Sequence, residues 1–523
     1  MTRSISVLFV VAIACGGSDH TATLSSSWTP PGSLAFVPAD TPYLAISLNG
    51  TNEQLDDLMY HQVGSSAAAW LAANPETPEQ PLGRFLWQLA REVVGKSHEA
   101  TWSALGLRPH GRFLLYGLGL WPVVRVEVAD AAKTRAVFDR AMAGAGKPAT
   151  FGSVAGWELV ADSVGVAVAV TNDELVLTAA PTRELPAIAQ RAVNERAVHA
   201  MAASTIIDIA NRHHLGTAYL LEIDTRAAVA QIATAIRASG HPDDAAVAAD
   251  CVADAERLAA LVPRYVIGYS RVDPQAIDGS FAIELAPELA RGLDRLHVAM
   301  PKLVPGVDHP LGSFELAIDV DAAVDWARGA AALVAAQPLA CKELQTFKQT
   351  AGELADKLAN ALPPDWRGLH GSQVVIDDAT TRPRGGVGYA VVYGSHVAAA
   401  INQLGPIPGL SGLPPPGAPP IELPLDAALG LPGLRAFLAI GIDRVAVAVG
   451  SDSQARAQNR MSAAASERVP LMTVSIDVDG LARQFPDVAR RLRASLPGIA
   501  RESLVVDVRD DSFVMDFHAE MTR

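Results

Sequence analysis

Several short stretches carry residue types that could do chemistry, and each lacks a member that the chemistry requires. His98-Glu99-Ala100-Thr101-Trp102 begins like a zinc-protease helix, where two histidines four apart share one face, but tryptophan occupies the second histidine's place. AGAGKP (143–148) has the last glycine and the lysine of a phosphate loop. Pro148 stands where Ser or Thr would reach magnesium, and Ala141 where the first glycine belongs. GLGLWP (117–122) holds two of the three dinucleotide-loop glycines and falls in a hairpin pattern. GYSRV (268–272) and GLSGL (409–413) both miss the spacing of a nucleophile elbow. His213 and His214 precede a strand, and neighbours on an extended chain point to opposite faces, which disfavours one shared metal. The aspartates of AIDVD (317–321) and SIDVDG (475–480) lack calcium-loop spacing and are expected to cap helices. Trp121 and Trp157 are expected as core anchors rather than ligand-stacking surfaces. The sequence therefore assigns no catalytic residue, no metal ligand and no cofactor.

The cysteines carry the clearest chemical signal. After Arg3, residues 5–14 read ISVLFVVAIA, and Cys15 closes the run ahead of a Gly/Ser-rich stretch. Ten residues of helix reach about 15 Å, half of a hydrocarbon core, so the run cannot span a bilayer. A basic start, a short apolar segment and small residues before a cut are the parts of a secretory signal. Ala12-Ile13-Ala14-Cys15 is similar to a bacterial lipobox, whose cysteine thiol takes a diacylglyceryl group, since two acyl chains anchor where one binds marginally. A buried or disulfide-bonded Cys15 is the alternative. The expected organisation is a signal peptide over 1–14 and a flexible tether over 15–33. Gly16, rather than aspartate, after the cysteine favours the outer membrane.

Cys251 and Cys341 remain, and in an oxidising compartment they are expected to pair, two separate buried thiols being the alternative. In the loop-entropy model, closing about 90 residues is worth roughly 4–5 kcal/mol before native strain is subtracted. No CxxC or Cys/His cluster suggests zinc.

The 523 residues are 50% apolar and carry a net charge of −14, enough to fill more than one core and repellent to a polyanion. Nucleic acid is therefore not an expected partner, and the lipid anchor supplies the expected membrane contact. Half-buried strands alternate with Ala-rich helices along the chain. Residues 112–128, 164–180 and 265–285 read as hairpins, as do 436–450 and 503–520. The stretches 373–378 and 387–394 pair with each other. Strands at 34–48, 218–224, 313–320 and 471–477 each precede a helix. Asp130, Thr225 and Ser395 are expected caps, and Val229, Ile232 and Ile236 share a helix face. The order strand–helix, hairpin–helix, hairpin–helix, strand–helix, hairpin occurs twice. The expectation is an α+β fold of two similar halves, 34–305 and 306–523. Each half would be a mainly antiparallel sheet with one face against helices, and a Cys251–Cys341 bond would staple them. The Pro-rich 406–424 is expected as a surface loop, a spacer or else a docking segment.

FVPADTPYLAISL (36–48), GLGLWPVVRVEVAD (117–130) and VPRYVIGYSR (262–271) resemble an uncharacterised group of bacterial lipoproteins related to the DUF3352 family. The resemblance implies a repeated α+β lipoprotein with spaced cysteines like Cys251 and Cys341, and it supplies no catalytic residues. The expected role is binding or structure in the cell envelope, with an envelope protein or apolar ligand as partner. Two alternatives stand beside it: a carrier holding a lipid between the halves, and a hydrolase built from two or more strongly perturbed acids in a cleft.

Overall fold

The computed structural model describes residues 23–48, 53–216, 218–239, 242–305, 307, 310–359, 367–379, 387–399, 414–424, 434–450, 452–465, 467–487, 490 and 498–522. The fold is α+β. Contacts divide the chain into two compact units, one comprising Asp19–Val252 with Pro263–Phe281, the other Ala253–Val262 with Ala282–Arg523. The expected boundary at 305/306 thus moves back to 281/282. The cause is apolar: Leu285, Ala290, Leu293 and Leu296 form a buried cluster with Leu471 and Val508, all of the second unit.

In the first unit the strands are β1 (Tyr43–Ser47), β2 (Phe113–Leu118), β3 (Trp121–Glu127), β4 (Lys147–Phe151) and β5 (Val154–Ala161). They continue with β6 (Val164–Val170), β7 (Glu174–Pro181), β8 (Tyr219–Asp224), β9 (Arg264–Val272) and β10 (Ala276–Glu284). They pair in the order β4-β5-β6-β7-β3-β2-β1-β8-β9-β10. Each register that is resolved is antiparallel. The hairpins at 112–128, 164–180 and 265–285 form as expected, the first turning at Gly119 with φ +65°. The β4–β5 hairpin was not foreseen, and the one helix expected after the strand at 34–48 is three: α1 (Glu53–Ala73), α2 (Pro81–Val93) and α3 (His98–Leu105).

Helices cover both faces of this sheet, not one. Phe85 of α2 and Phe138, Ala141 and Met142 of α4 (Ala131–Met142) bury one face with Trp157, Val168, Val170 and Leu175. The opposite face of β6 and β7 receives α5 (Leu185–Asn194). The Val/Ala alternation of β6 makes this possible, presenting large side chains to the first cluster and small ones to α5. Gly165 gives Leu185 its room: a Cβ would sit 2.6 Å from Leu185 Cδ2, so the leucine side chain would have to shift for any larger residue. As expected, Asp130 caps α4 by accepting from Lys133 N at 3.0 Å. The cap of α7 (Thr225–Ser239) is Asp224, which accepts from Ala227 N, while the Thr225 hydroxyl donates to Pro263 O. Ile232 and Ile236 are 46% and 39% exposed, so the face expected to bury them is instead anchored by Ala233, 1% exposed.

The flexible tether is also shorter than expected. Leu24 is 3% exposed and Leu34 4%, residues Gly32–Phe36 wind into a 3-10 helix, and the Trp28 indole N–H donates to Leu48 O. Apolar residues at 24, 28 and 34 give this polar-looking stretch something to bury. Cys15 and the expected signal lie outside the described residues.

The second unit begins with β11 (Ala299–Met300) and runs through β12 (Gly312–Ala317), β13 (Leu369–Asp378), β14 (Val387–Gly394), β15 (Ile421–Leu423) and β16 (Ala436–Ile440). It ends with β17 (Arg444–Val449), β18 (Glu467–Arg468), β19 (Met472–Asp477), β20 (Ile499–Arg509) and β21 (Ser512–Met521). The main sheet is antiparallel, β15-β16-β17-β14-β13-β12-β19-β20-β21, and β11 pairs separately with β18. Asp319 and Asp477 cap the helices Val320–Ala335 and Val478–Gln484, as expected, accepting from Ala322 N and Gly480 N. The Pro-rich stretch is not all loop: Ile421–Leu423 is an edge strand, and residues 406–413 lie outside the described set. Of the helix expected after Ser395, only residues 397–399 are described as helical.

The first unit turns on one buried charge. Arg125, 2% exposed on β3, donates from Nε and Nη2 to Glu174 Oε2 of β7 (3.0 and 2.5 Å) and from Nη1 to Ala192 O near the end of α5 (2.6 Å). The Phe36 ring lies 3.8 Å from its guanidinium carbon. Two strands, a helix terminus and the N-terminal segment thus meet on one side chain. Arg125→Ala is expected to cost about 3–5 kcal/mol, because it strands Glu174 and the α5 carbonyl. Urea unfolding checks this, and the conservative Arg125→Lys should recover only part, since one ammonium cannot fork as a guanidinium does.

Candidate functional site

The two cysteines expected to pair are joined: Cys251 and Cys341 form a disulfide. Asp254, one helical turn beyond Cys251 and 1% exposed, accepts from Ala340 N and Cys341 N at 2.5 and 2.7 Å. It also pairs with Arg257 Nη1 at 2.5 Å. A single buried carboxylate therefore gathers the backbone on the N-terminal side of helix Lys342–Ala359. Glu343 Oε2 sits 3.2 Å from Cys341 Sγ. An oxidised sulfur carries no proton, so this is a contact and not a hydrogen bond. With both sulfurs oxidised, neither offers a thiolate to a metal.

A second polar cluster crosses the sheet of the second unit. Glu315 on β12, Gln373 on β13 and Val391 on β14 lie in one register row facing the same side. Gln373 is fully buried. Its Nε2 donates to Glu315 Oε1 at 2.5 Å and to Pro301 O at 2.6 Å, and its Oε1 accepts from the Tyr393 hydroxyl at 2.8 Å. The Tyr389 hydroxyl accepts from Val304 N, so the sheet grips the 301–304 segment twice. Burial holds the Glu315 carboxyl above its ordinary value, against the opposing pull of the Gln373 hydrogen bond. Burial also pushes the Tyr393 hydroxyl up to about 12. Less buried acids move down instead: hydrogen bonds from Arg140 lower Glu92, and from Arg435 and Arg444 lower Glu422 and Asp443. The hydrolase alternative asks for two raised acids in one cleft; Glu315 is a raised acid, and it is tied into the sheet-spanning network.

A third cluster joins His297, Asp507 and Arg468. His297 Nε2 lies 2.6 Å from Asp507 Oδ1, and Arg468 Nη2 lies 3.0 Å from His297 Nδ1. A guanidinium only donates, so in the neutral ring Nδ1 accepts and Nε2 carries the proton to Asp507. Both ring nitrogens are engaged, and the pair ties the β11–β18 ribbon to β20.

The residues singled out in the failed motifs take structural places. His98 is buried, with its ring 5.6 Å from those of Tyr60 and Trp102 and 6.0 Å from that of His110. Trp157 is a core residue beside Phe138, whereas Trp121 is half-buried and donates to Glu184 Oε2 at 3.1 Å. His213 and His214 precede strand β8 as expected, but they lie in the turn that ends α6 (Ala203–Arg212) and not on extended chain. Asp254 was legible only as the i+3 neighbour of Cys251. Glu315, Gln373, His297 and Asp507 carried no local motif. Comparison of the chain with protein-family models, with curated proteins and with solved structures finds no match.

The sign of the Glu315 shift makes a test of stability against pH. An acid that ionises less readily when folded stabilises the fold below its ordinary value of 4.5, and that contribution disappears as pH rises through the raised folded value. The stability of the wild type relative to Glu315→Gln should therefore fall as pH rises from 4.5. Parallel urea midpoints for both proteins across that range would contradict the assignment.

Proposed function

We propose that this protein is an exported lipoprotein of the bacterial envelope, anchored through Cys15 at the outer membrane, with a binding or structural role. The observation that carries the reading is the Cys251–Cys341 disulfide. Only three cysteines occur, and two of them form a bond that an oxidising compartment sustains and a reducing cytosol does not. The third stands where an apolar run ends and a polar link begins. The resemblance to the DUF3352-related lipoproteins supports the same reading. So do three buried polar clusters, around Arg125, Glu315 and His297, whose bonds hold strands and covering segments together.

We also infer that the two units descend from one duplicated unit. From β6 to β10 the first unit pairs as β6-β7-β3-β2-β1-β8-β9-β10, and the second as β16-β17-β14-β13-β12-β19-β20-β21. Strand for strand, the connectivity is the same, with helices inserted at matching points.

Radiolabelled palmitate is expected to label the wild type in its bacterial host and not Cys15→Ala; equal labelling would end the anchor proposal. Peptide mass mapping without reductant is expected to recover a linked 251–341 pair from exported protein. Free thiols at both positions would remove the argument for an oxidising compartment.

A further inference from the structure

The groups around the Cys251–Cys341 bond are placed to make it. The helix Pro242–Ala259 carries Cys251, Asp254 and Arg257 at three-residue steps, so their side chains neighbour one another on successive turns. All three reach the segment 338–341: Cys251 through the sulfur of Cys341, Asp254 through Ala340 N and Cys341 N at 2.5 and 2.7 Å, and Arg257 Nη1 through Pro338 O at 3.2 Å. The last two holds are noncovalent. Bonds to the Asp254 carboxylate, 1% exposed, do not depend on the state of the sulfurs, so they bring Cys341 beside Cys251 before an S–S bond exists. The two sulfurs are not equivalent. Cys251 is half-buried, whereas Cys341 is 3% exposed. Glu343 is exposed and places Oε2 3.2 Å from Cys341 Sγ. In the dithiol that sulfur carries a proton, and the carboxylate is within reach to accept it.

We propose that Cys251 is the entry cysteine for an incoming disulfide, that Cys341 is the resolving cysteine, and that Glu343 is the base that takes the Cys341 proton. The oxidant is an organic disulfide, RS–SR. In the first step the Cys251 thiolate, its proton released to water, attacks one sulfur of RS–SR. A Cys251–SR bond forms, the S–S bond of the oxidant breaks, and RS⁻ leaves and takes up a proton. In the second step Glu343 accepts the Cys341 proton and Cys341 Sγ attacks Cys251 Sγ. The Cys251–Cys341 bond forms as the second RS⁻ leaves and is protonated in turn. Two protein thiols are oxidised, and one external disulfide is reduced to two thiols. Burial denies Cys341 the first step. The Asp254 clasp gives it the second, because a group held against its partner reacts at an effective concentration far above that of a free thiol.

For the test, the full chain is reduced without denaturant and reoxidised with excess oxidised glutathione, with acid quenching and peptide mass mapping to place each adduct. The reduced wild type is expected to keep its native near-ultraviolet circular dichroism; loss of that signal would show that the clasp does not hold the unbonded site, and the proposal would fall with it. Cys341→Ser should accumulate glutathione on Cys251, while Cys251→Ser should acquire it on Cys341 roughly tenfold more slowly or slower still. Equal rates, or the reverse order, overturn the assignment of entry and resolving cysteines. Glu343→Gln changes an exposed side chain and leaves the clasp intact, and the lifetime of the mixed disulfide reads the closure step. Attack by a thiol that ionises unaided slows about tenfold for each pH unit below the ordinary thiol value of about 8.5. Closure in Glu343→Gln should follow that slope, and closure in the wild type should fall less steeply. The variant is then at least about tenfold slower near pH 6.5 and about equal near pH 9. Superimposable pH profiles would dismiss Glu343 as the base.

Discussion

A covered sheet face leaves a polar side chain on a central strand without water, and that constraint governs both units. Arg125 and Gln373 sit on such strands, 2% and 0% exposed. Each satisfies its hydrogen-bonding groups by reaching beyond its own strand. Arg125 reaches a neighbouring strand, a helix terminus and the N-terminal segment; Gln373 reaches Glu315, Tyr393 and the carbonyl of Pro301. A buried polar group left unpaired costs more than a pair gains, so these side chains fix which segments may lie over each sheet.

The same logic accounts for how the polar residues of the other clusters are engaged. A general base needs a free lone pair beside the proton it takes, and both nitrogens of His297 are already engaged. Glu315, whose carboxyl burial raises, is held by an amide in a sheet-spanning network. Asp254 spends its carboxylate on backbone N–H groups. These arrangements are joints: each side chain's bonds hold a strand or a covering segment in place.

Much of the fold was legible because hairpin signals are local. The Asn172-Asp173, Asp443 and Asp510-Asp511 turns, and the aspartates that cap helices, act within four residues of themselves. The two cysteines were legible as a pair by elimination. Depth was less legible. In Gly312–Ala317 the alternation places Phe314 and Leu316 on one side and Glu315 and Ala317 on the other, and a reader of pattern alone buries the phenylalanine. The structure buries Glu315 and Ala317 and leaves Phe314 and Leu316 half-covered. The stretch 23–33 misled for the opposite reason, since its few apolar residues are too sparse to show a period yet find pockets already formed by other elements.

What the sequence alone determined is whatever the chain decides within a few residues: the α+β class, the hairpin positions, the helix starts and the presence of two pairable cysteines after Cys15. Only the tertiary structure decided which face of each strand is inside, that helices lie on both sides, that the boundary falls near 281, and that the N-terminal link ends at Leu24. Those outcomes depend on surfaces contributed by residues tens to hundreds of positions apart, such as Asn211 for Leu24 or Gln373 for Glu315. Burial is a property of what arrives from elsewhere, and no local pattern carries it.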